Sequence, residues 1–382
     1  MGYRFDTIAT HAGRAAQEAG SPVTPALSLS TTFLQGAPGQ ADEHAYARVS
    51  NPTRGALEQT LAALEGGVSA LAFSSGCAAM HAVLQLLRPG DHLVACADIY
   101  GGTYRLIEQL VAPLGVEVSW VDMADTSAVD SVTSNATKML WLETPTNPLL
   151  RVFDLAALSE LARARGAISV VDNTFATPAL QRPLALGADL VVHSMSKYLN
   201  GHSDVVAGAV VSSSDELSER LRFIQRAGGA IASPFDSYHV TRGIKTLPLR
   251  MRRHCDNASA IAEWLREQPE VEAVHYPGLA DHPQHTLAKQ QMNAFGGVVS
   301  FVASGGRMGA SDVLRRVRVI SLAQSLGGAE SLTGQPALKS PASMPEELRR
   351  ARGVEDGLNR LSVGLEDLGD LRDDRASALS AP

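Results

Sequence analysis

The sequence has 382 residues, of which 45% are apolar, 19% charged and 5% aromatic, a composition that excludes disordered and fibrous proteins and fits a folded chain of two or more domains. Its 33 basic and 40 acidic residues give a net charge of −7 without a basic cluster, so neither a nucleic acid nor an anionic membrane is expected as a partner. The cysteines Cys77, Cys96 and Cys255 are too scattered for a disulfide framework or a metal site, and no apolar run could cross a bilayer, which together predict a cytoplasmic protein without bound metal.

Residues 1–55 contain many Gly, Pro, Ser and Thr residues and little regular periodicity, which predicts an extended N-terminal arm. From residue 56 to 211, short apolar runs alternate with longer amphipathic stretches, a pattern typical of successive βα units around a mostly parallel, buried sheet. We therefore predict a large α/β domain over residues 56–249. Its predicted strands are Ala70–Ser74, His92–Cys96, Glu117–Val121, Met139–Glu143, Ile168–Asp172 and Leu190–His193.

A second pattern predicts a smaller C-terminal α+β domain over residues 250–382. Within it, helical periodicity covers residues 257–268, and apolar runs at 271–276 and 297–302 predict two further strands, whereas a helix predicted at 215–227 still belongs to the large domain. The polar tail after Arg372 is predicted to be frayed.

One of only five lysines, Lys197, follows an apolar strand directly, at the sheet edge where α/β proteins bind ligands. Position alone favours a solvated loop lysine. Asp172, however, ends a neighbouring buried strand, and a carboxylate there is costly unless it faces a cation or strong donors. A lysine that forms a Schiff base, paired with an acid for the ring nitrogen, is typical of pyridoxal phosphate (PLP) enzymes.

The segment Ser74–Met80 places serines and glycine where a strand meets a helix, which suits a phosphate group. By itself this signal is weak, since such turns are also common packing devices. The chain lacks the G-x-G-x-x-G and P-loop patterns, so a monophosphate ester fits better than a dinucleotide. Tyr100 follows another strand and could stack on a flat ring or serve only as a loop lid.

These residues lie within motifs through which the chain resembles the Cys/Met-metabolism PLP-dependent (trans-sulfuration) enzymes, in particular cystathionine gamma-lyase and gamma-synthase. The resemblance runs from about His11 to Leu379. Its motifs are Tyr46–Thr53, Ser74–Gly76, Tyr100–Thr103, Glu143–Pro148, Val171–Phe175, His193–Tyr198, Gly201–Asp204, Ser325–Leu332 and Arg360–Asp367.

The resemblance implies the PLP-dependent transferase fold of type I, the aspartate-aminotransferase-like fold, with PLP as cofactor. It implies that Lys197 forms the Schiff base, that Asp172 binds the pyridine nitrogen and that Tyr100 stacks on the ring and assists proton transfer. Asn147 would lie beside the phenolic oxygen. The residues implied to bind the cofactor phosphate are Gly76, Cys77, Ser194 and Ser196, and Ser75 is a further implied cofactor-binding residue.

For the substrate, the resemblance implies that Arg360 binds the α-carboxylate with Ser325 nearby, a task suited to a planar guanidinium. Tyr46 and Arg48 would reach the cofactor phosphate of a neighbouring subunit in a homotetramer built from two catalytic dimers, and Tyr46 would also contact substrate. Glu330 is similar to the residue of the γ-acting cystathionine enzymes. The implied reaction is γ-elimination from, or γ-replacement on, a γ-substituted L-amino acid.

Several positions depart from the usual family pattern, namely Ser28, Ala45, Arg226, His239 and Lys339. They leave open an enzyme that eliminates a non-sulfur group such as a halide or acyl group. A methionine gamma-lyase, an O-acetylhomoserine sulfhydrylase, a PLP aminotransferase and a non-catalytic protein that keeps the PLP fold are also compatible with the sequence.

Overall fold

The computed structural model describes residues 2–14, 19–40, 42–339 and 346–380, with the side chains of 339, 346, 348 and 351 excepted. Two β-sheets organise this part of the chain. The strands of the larger sheet are β1 Ser69–Phe73, β2 His92–Cys96, β3 Glu117–Val121, β4 Thr137–Glu143, β5 Ile168–Asp172, β6 Leu190–Ser194 and β7 Gly208–Ser212. The strands of the smaller sheet are β8 Val271–His275, β9 Val298–Ala303, β10 Ser321–Leu322, β11 Leu332–Gly334 and β12 Leu358–Ser362.

The larger sheet has the order β1-β7-β6-β5-β4-β2-β3. Strand β7 is antiparallel to both of its neighbours, whereas all other pairs are parallel, so the predicted mostly parallel sheet is confirmed. In the smaller sheet, of order β10-β11-β12-β9-β8, only β10 and β11 pair in parallel. This sheet is the β component of the predicted C-terminal α+β region.

The helices alternate with the strands in the first two thirds of the chain. They are α1 Phe5–His11, α2 Pro52–Glu65, α3 Gly76–Leu84, α4 Gly101–Leu106, α5 Thr126–Val132, α6 Leu155–Ala164, α7 Thr177–Leu180, α8 Asp215–Gly228, α9 Pro234–Ile244, α10 Leu247–Arg266, α11 His285–Gln291, α12 Gly306–Arg316, α13 Pro336–Lys339, α14 Glu346–Ala351 and α15 Leu368–Ser380. One π-helical turn, Ile107–Val111, and two 3₁₀ segments, Ala112–Leu114 and Pro183–Leu186, complete the elements. Among these helices, none is long and apolar enough to cross a membrane.

Helix α2 shows how local sequence sets the elements. Asn51 precedes Pro52, and its side chain accepts the otherwise unpaired backbone N–H groups of Thr53 and Arg54. The helix ends at Gly66, whose φ of +76° is a left-handed conformation that glycine adopts without a steric penalty. The sequence between these signals folds into four turns that cover one face of the larger sheet.

Alternating residues of the strands enter two separate apolar clusters. Leu71 and Phe73 of β1 pack with α3, α6 and α8, whereas Ala70 and Ala72 pack with α2, α9 and the start of α10. The larger sheet is therefore buried on both faces, as expected for parallel strands, and each fully buried Leu or Phe contributes roughly 1.5–3 kcal/mol. A third cluster lies between the smaller sheet, α10, α12 and α15.

As far as Ser380, the C-terminal tail is helical and not frayed. Residues beyond Arg372 continue α15, and Ala378 and Leu379 are buried in the third cluster. The segment is polar on average, but its apolar residues lie on the helical face that packs against this cluster. Helix α10 runs continuously across residues 249 and 250. The domain limits 1–55, 56–249 and 250–382 remain a prediction.

Candidate active site

The carboxyl ends of the parallel strands face one cavity of about 880 Å³. Glu143 ends β4, Asp172 ends β5 and Ser194 ends β6, so the topology places three polar side chains from separate strands at one sheet edge. This is where open α/β sheets bind ligands. Twelve of the predicted site residues line the cavity: Ser75, Gly76, Cys77, Tyr100, Asn147, Asp172, Ser194, Ser196, Lys197, Ser325, Glu330 and Arg360.

Lys197 lies three residues beyond β6, and its Nζ donates a hydrogen bond to Oγ of Ser325 at 2.5 Å. Burial, together with the nearby positive charge of Arg360, lowers the pKa of Lys197 to about 8. The amine therefore loses its proton far more readily than a solvent-exposed lysine does. A lysine of this kind can act as a nucleophile and as a general base.

Arg360 of β12 extends from the smaller sheet to the same cavity. Its Nη1 donates to Oδ1 of Asn147 at 2.9 Å, and its Nη2 donates to the backbone oxygen of Ser325 at 2.8 Å. Burial lowers the pKa of Arg360 from its ordinary value. A lysine that follows the larger sheet and an arginine of the smaller sheet thus contact the same serine.

Asp172 is 4% exposed, and among the described residues only Thr174 donates hydrogen bonds to its carboxylate, one of them from the backbone at 3.0 Å. Burial raises the pKa of Asp172, while the bonds from Thr174 counteract part of that shift. A buried carboxylate that faces a cavity has its greatest affinity for a cationic N–H donor.

The amino end of α3 closes another side of the cavity. Ser75 caps the helix by accepting the backbone N–H of Ala78 at 3.0 Å. A Cβ atom on Gly76 would lie 3.0 Å from Cβ of Ser194, so glycine allows the first helical turn to approach β6. The resulting cradle combines backbone N–H groups and serine hydroxyls, groups of the kind that proteins use to bind phosphate.

Tyr100 precedes α4, lines the cavity and is 40% exposed. Burial of its phenol raises its pKa above the ordinary value. Its backbone N–H donates to Oε2 of Glu143 at 2.8 Å, so the position of the loop depends on a residue of a different strand.

The profile of the family described as Cys/Met metabolism PLP-dependent enzymes matches residues 6–380. The chain belongs to this family. It is 47% identical to a cystathionine beta-lyase of Coxiella burnetii, an alignment that covers 98% of this chain and 97% of the relative. It is 48% identical to a cystathionine gamma-synthase of Mycobacterium tuberculosis, with coverage of 98% and 96%. The crystal structure of cystathionine gamma-lyase from Lactobacillus plantarum complexed with L-serine superimposes with a TM-score of 0.96 and 41% identity, and the match covers 99% of each chain.

Family membership confirms the predicted PLP-dependent enzyme of the type I fold, and the cavity fits the cofactor of the family. The cradle at α3 suits a phosphate, the Asp172 carboxylate suits a protonated ring nitrogen, and Lys197 supplies the amine. Tyr100 offers an aromatic face to a flat ring. These individual roles remain predictions. Ser196 is less available than expected, because its hydroxyl already donates to the backbone oxygen of Ala207 at 3.3 Å and accepts the backbone N–H of the same residue at 3.0 Å.

Two predicted family residues, Tyr46 and Arg48, do not line the cavity of their own chain. Tyr46 is 47% exposed, and Arg48 donates to the backbone oxygen of Arg226 at 2.7 Å. The arm therefore presents both side chains on the surface.

Of the departures from the family pattern, those at Ser28, Ala45, Arg226 and His239 also lie outside the large cavity of this chain. The ring of His239 contacts that of Phe235 in a tilted arrangement, with centroids 4.5 Å apart and an interplanar angle of 53°, and His239 lines a separate cavity of about 120 Å³. The side chain of Lys339 lies outside the described residues.

The structure adds cavity residues that the sequence reasoning did not assign. Glu143 is the most informative, since it ends a buried strand as Asp172 does, and this signal could have identified it. Arg105, Ser203 and Arg352 also line the cavity, but no local pattern sets them apart from surface residues of loops and helices.

Proposed function

We propose that this chain catalyses γ-elimination from, or γ-replacement on, γ-substituted L-amino acids, as a cystathionine gamma-lyase or gamma-synthase. The observation that carries the proposal is the shared contact of Lys197 and Arg360 with Ser325, at 2.5 Å and 2.8 Å. This arrangement puts a carboxylate-binding guanidinium beside a lysine that can remove the proton from the neighbouring α-carbon. Such a pair is what an α-amino acid requires.

In the proposed reaction, each cavity residue has a separate role. When bound, PLP supplies an electron sink for the α-carbon of the substrate. Arg360 binds the α-carboxylate through both guanidinium nitrogens, and Asn147 fixes the orientation of that guanidinium. Lys197 then takes the α-proton and, from the same position, can exchange a proton at the β-carbon. The net lyase reaction converts cystathionine and water to cysteine, 2-oxobutanoate and ammonia.

Glu330 supports the γ assignment by its place at the cavity. Its side chain is exposed and lines the cavity, where its carboxylate and the hydroxyl of Ser203 both lie near Gly328. A carboxylate there is suited to the distal ammonium group of cystathionine. The γ-synthase and γ-lyase names among the relatives support the same reaction.

A second candidate is β-elimination from cystathionine. The observation that favours it is the 47% identity to a protein named cystathionine beta-lyase, nearly as high as the 48% to a gamma-synthase. A β-lyase would use the same Lys197 and Arg360 but would release homocysteine, pyruvate and ammonia.

A neighbouring subunit completes the proposed enzyme. Tyr46 and Arg48 are exposed on an arm whose apolar side chains Leu29 and Leu34 are 65% and 99% exposed, which supports burial against another copy. We propose that both residues reach the phosphate of the adjacent subunit in a cytoplasmic homotetramer.

The products distinguish the candidates. PLP-loaded protein incubated with L-cystathionine should yield 2-oxobutanoate and cysteine, identified by mass spectrometry, with Lys197→Ala as the inactive control. Pyruvate and homocysteine would instead establish the β-lyase. O-Succinylhomoserine or O-acetylhomoserine, each with cysteine or sulfide, tests the replacement reactions, and absence of turnover with every substrate would contradict the proposal.

A further inference from the structure

Glu143 joins two loops of the cavity that belong to different strands. It ends β4, is 4% exposed and uses both carboxylate oxygens. Oε2 accepts the backbone N–H of Tyr100 at 2.8 Å, and Oε1 accepts that of Asn147 at 3.1 Å. One side chain therefore sets the distance between the loop after β2 and the loop after β4.

The hydrogen bonds continue from Asn147 across the cavity. Oδ1 of Asn147 accepts from Arg360 at 2.9 Å, and Arg360 donates to the backbone oxygen of Ser325 at 2.8 Å. The hydroxyl of Ser325 accepts from Lys197 at 2.5 Å. Through Asn147, Glu143 thus connects the loop that carries Tyr100 to Arg360 and Lys197.

A carboxylate at position 143 carries an unfavourable desolvation energy. Glu143 pairs in register with Asp172 on β5, and burial, followed by the charge of Asp172, raises the pKa of Glu143 well above its usual range. A glutamine would avoid the charge but has only one acceptor oxygen, so one of the two N–H groups would face its amide nitrogen. The double acceptor is the property that only Glu supplies at this length.

We propose that Glu143 is a positioning residue that holds the ring of Tyr100 and the guanidinium of Arg360 in one geometry through its two backbone contacts. Its two hydrogen bonds go to backbone N–H groups of the loops and not to the phenol of Tyr100 or the guanidinium of Arg360. The proposal rests on the proposed function, because it treats Tyr100 as the partner of the cofactor ring and Arg360 as that of the substrate carboxylate.

The test compares Glu143→Gln with Glu58→Gln. Glu58 of α2 also accepts a backbone N–H, that of Ala72 at 2.9 Å, but lies outside the cavity, so both changes replace a carboxylate bonded to the main chain. Each protein is loaded with PLP, and three quantities are measured: the dissociation constant of PLP, the circular dichroism of the bound cofactor in the visible range, and KM for the active substrate.

For Glu143→Gln we expect a PLP dissociation constant and a KM each raised about 10-fold or more, the size of a lost hydrogen bond to a charged group, with a changed visible dichroism. Glu58→Gln should lower only the unfolding temperature. If Glu143→Gln also changes the unfolding temperature alone, the positioning role is wrong.

Glu143→Asp keeps the charge but shortens the side chain by one methylene and cannot reach both loops, so it should give the same three effects if the glutamine variant does not fold. Dichroism and PLP affinity do not depend on which substrate is turned over. If the proposed function is wrong, the substitution at Glu143 should still alter the dichroism and the PLP affinity. If the positioning role is wrong, the substitution should alter neither of them.

Discussion

Nζ of Lys197 donates to Oγ of Ser325, and the backbone of Ser325 has a φ of +111°, a region that favours glycine. This conformation directs the hydroxyl of Ser325 to the lysine and its carbonyl oxygen to Arg360. Backbone strain of this kind costs about 1–3 kcal/mol and is retained where function requires it. The strained backbone of Ser325 thus costs stability but allows the residue to contact both Lys197 and Arg360.

Two substitutions at Ser325 distinguish the effect of backbone strain on stability from the effect of the hydroxyl group on activity. Ser325→Ala and Ser325→Gly both remove the acceptor of Lys197, so each should lower kcat/KM by about 10-fold or more. Only glycine relieves the backbone, so cofactor-free Ser325→Gly should exceed Ser325→Ala in free energy of unfolding by about 1 kcal/mol. Urea unfolding and steady-state kinetics measure the two effects. Equal stability of the two variants would show that the backbone at this position is not strained.

The lowered pKa of Lys197 predicts a pH-dependent reactivity of the cofactor-free protein. Half of the amine should be neutral at pH about 8, compared with 10.5 for an ordinary lysine. Competitive acetylation followed by peptide mass spectrometry should therefore label Lys197 at lower pH than the exposed Lys138 in the same sample. Identical labelling profiles for the two residues would contradict the prediction. Because Arg360 contributes to the shift, Arg360→Met should move the Lys197 profile to higher pH.

The lowered pKa of Lys197 also predicts how the free energy of unfolding changes with pH. Between pH about 8 and 10.5 the folded chain binds fewer protons at Lys197 than the unfolded chain does, so stability at this site should rise with pH across that interval. In cofactor-free protein, wild type should gain free energy of unfolding relative to Lys197→Met as the pH increases. Lys138→Met serves as the exposed control, and a difference that stays constant with pH would refute the assignment.

Gly102 leaves the space that the ring of Tyr100 occupies. A Cβ atom there would lie 2.8 Å from Cζ of Tyr100, so Gly102→Ala should displace the ring and weaken PLP binding about 10-fold. Equilibrium titration with PLP measures the change. Gly55→Ala, in the interior of α2 with open space around the new methyl group, should leave PLP affinity unchanged and raise the unfolding temperature.

Arg375 of α15 is 0% exposed, and none of its guanidinium nitrogens has a hydrogen-bond partner among the described residues. Its guanidinium lies 5.3 Å from the ring of Phe301, and burial lowers its pKa to about 10. A buried cation without a hydrogen-bond partner is costly, so Arg375→Met should stabilise the protein by about 1–3 kcal/mol.

Thermal unfolding of the PLP-loaded protein, at fixed protein and cofactor concentrations, measures the effect of Arg375→Met. The matched control is Arg54→Met. Arg54 is equally buried but donates to the backbone oxygen of Ala47 at 2.7 Å and lies near Glu58, so its loss should destabilise the protein. A lower unfolding temperature for Arg375→Met would show that the guanidinium is stabilising.

Features that depend on short segments could be predicted from the amino-acid sequence alone. Apolar runs that alternate with amphipathic stretches predicted six strands of the larger sheet, and β2, β3 and β5 have the predicted limits. These limits could be predicted because a buried strand and its flanking turn residues are recognisable within a few consecutive residues. The family and its cofactor followed from motifs of a few residues each, such as the segment around Lys197.

The way in which distant segments meet depended on the tertiary structure. Ser325 and Arg360 lie more than 120 residues beyond Lys197, and their contacts depend on how the smaller sheet packs beside the larger one. The role of Glu143 was likewise not predicted, since its two partners are backbone groups that any sequence contains. The burial of α15 was missed because helical burial depends on the face that meets a neighbour rather than on mean composition. Side-chain types predict chemistry, but their mutual geometry comes from the packing of elements far apart in the chain.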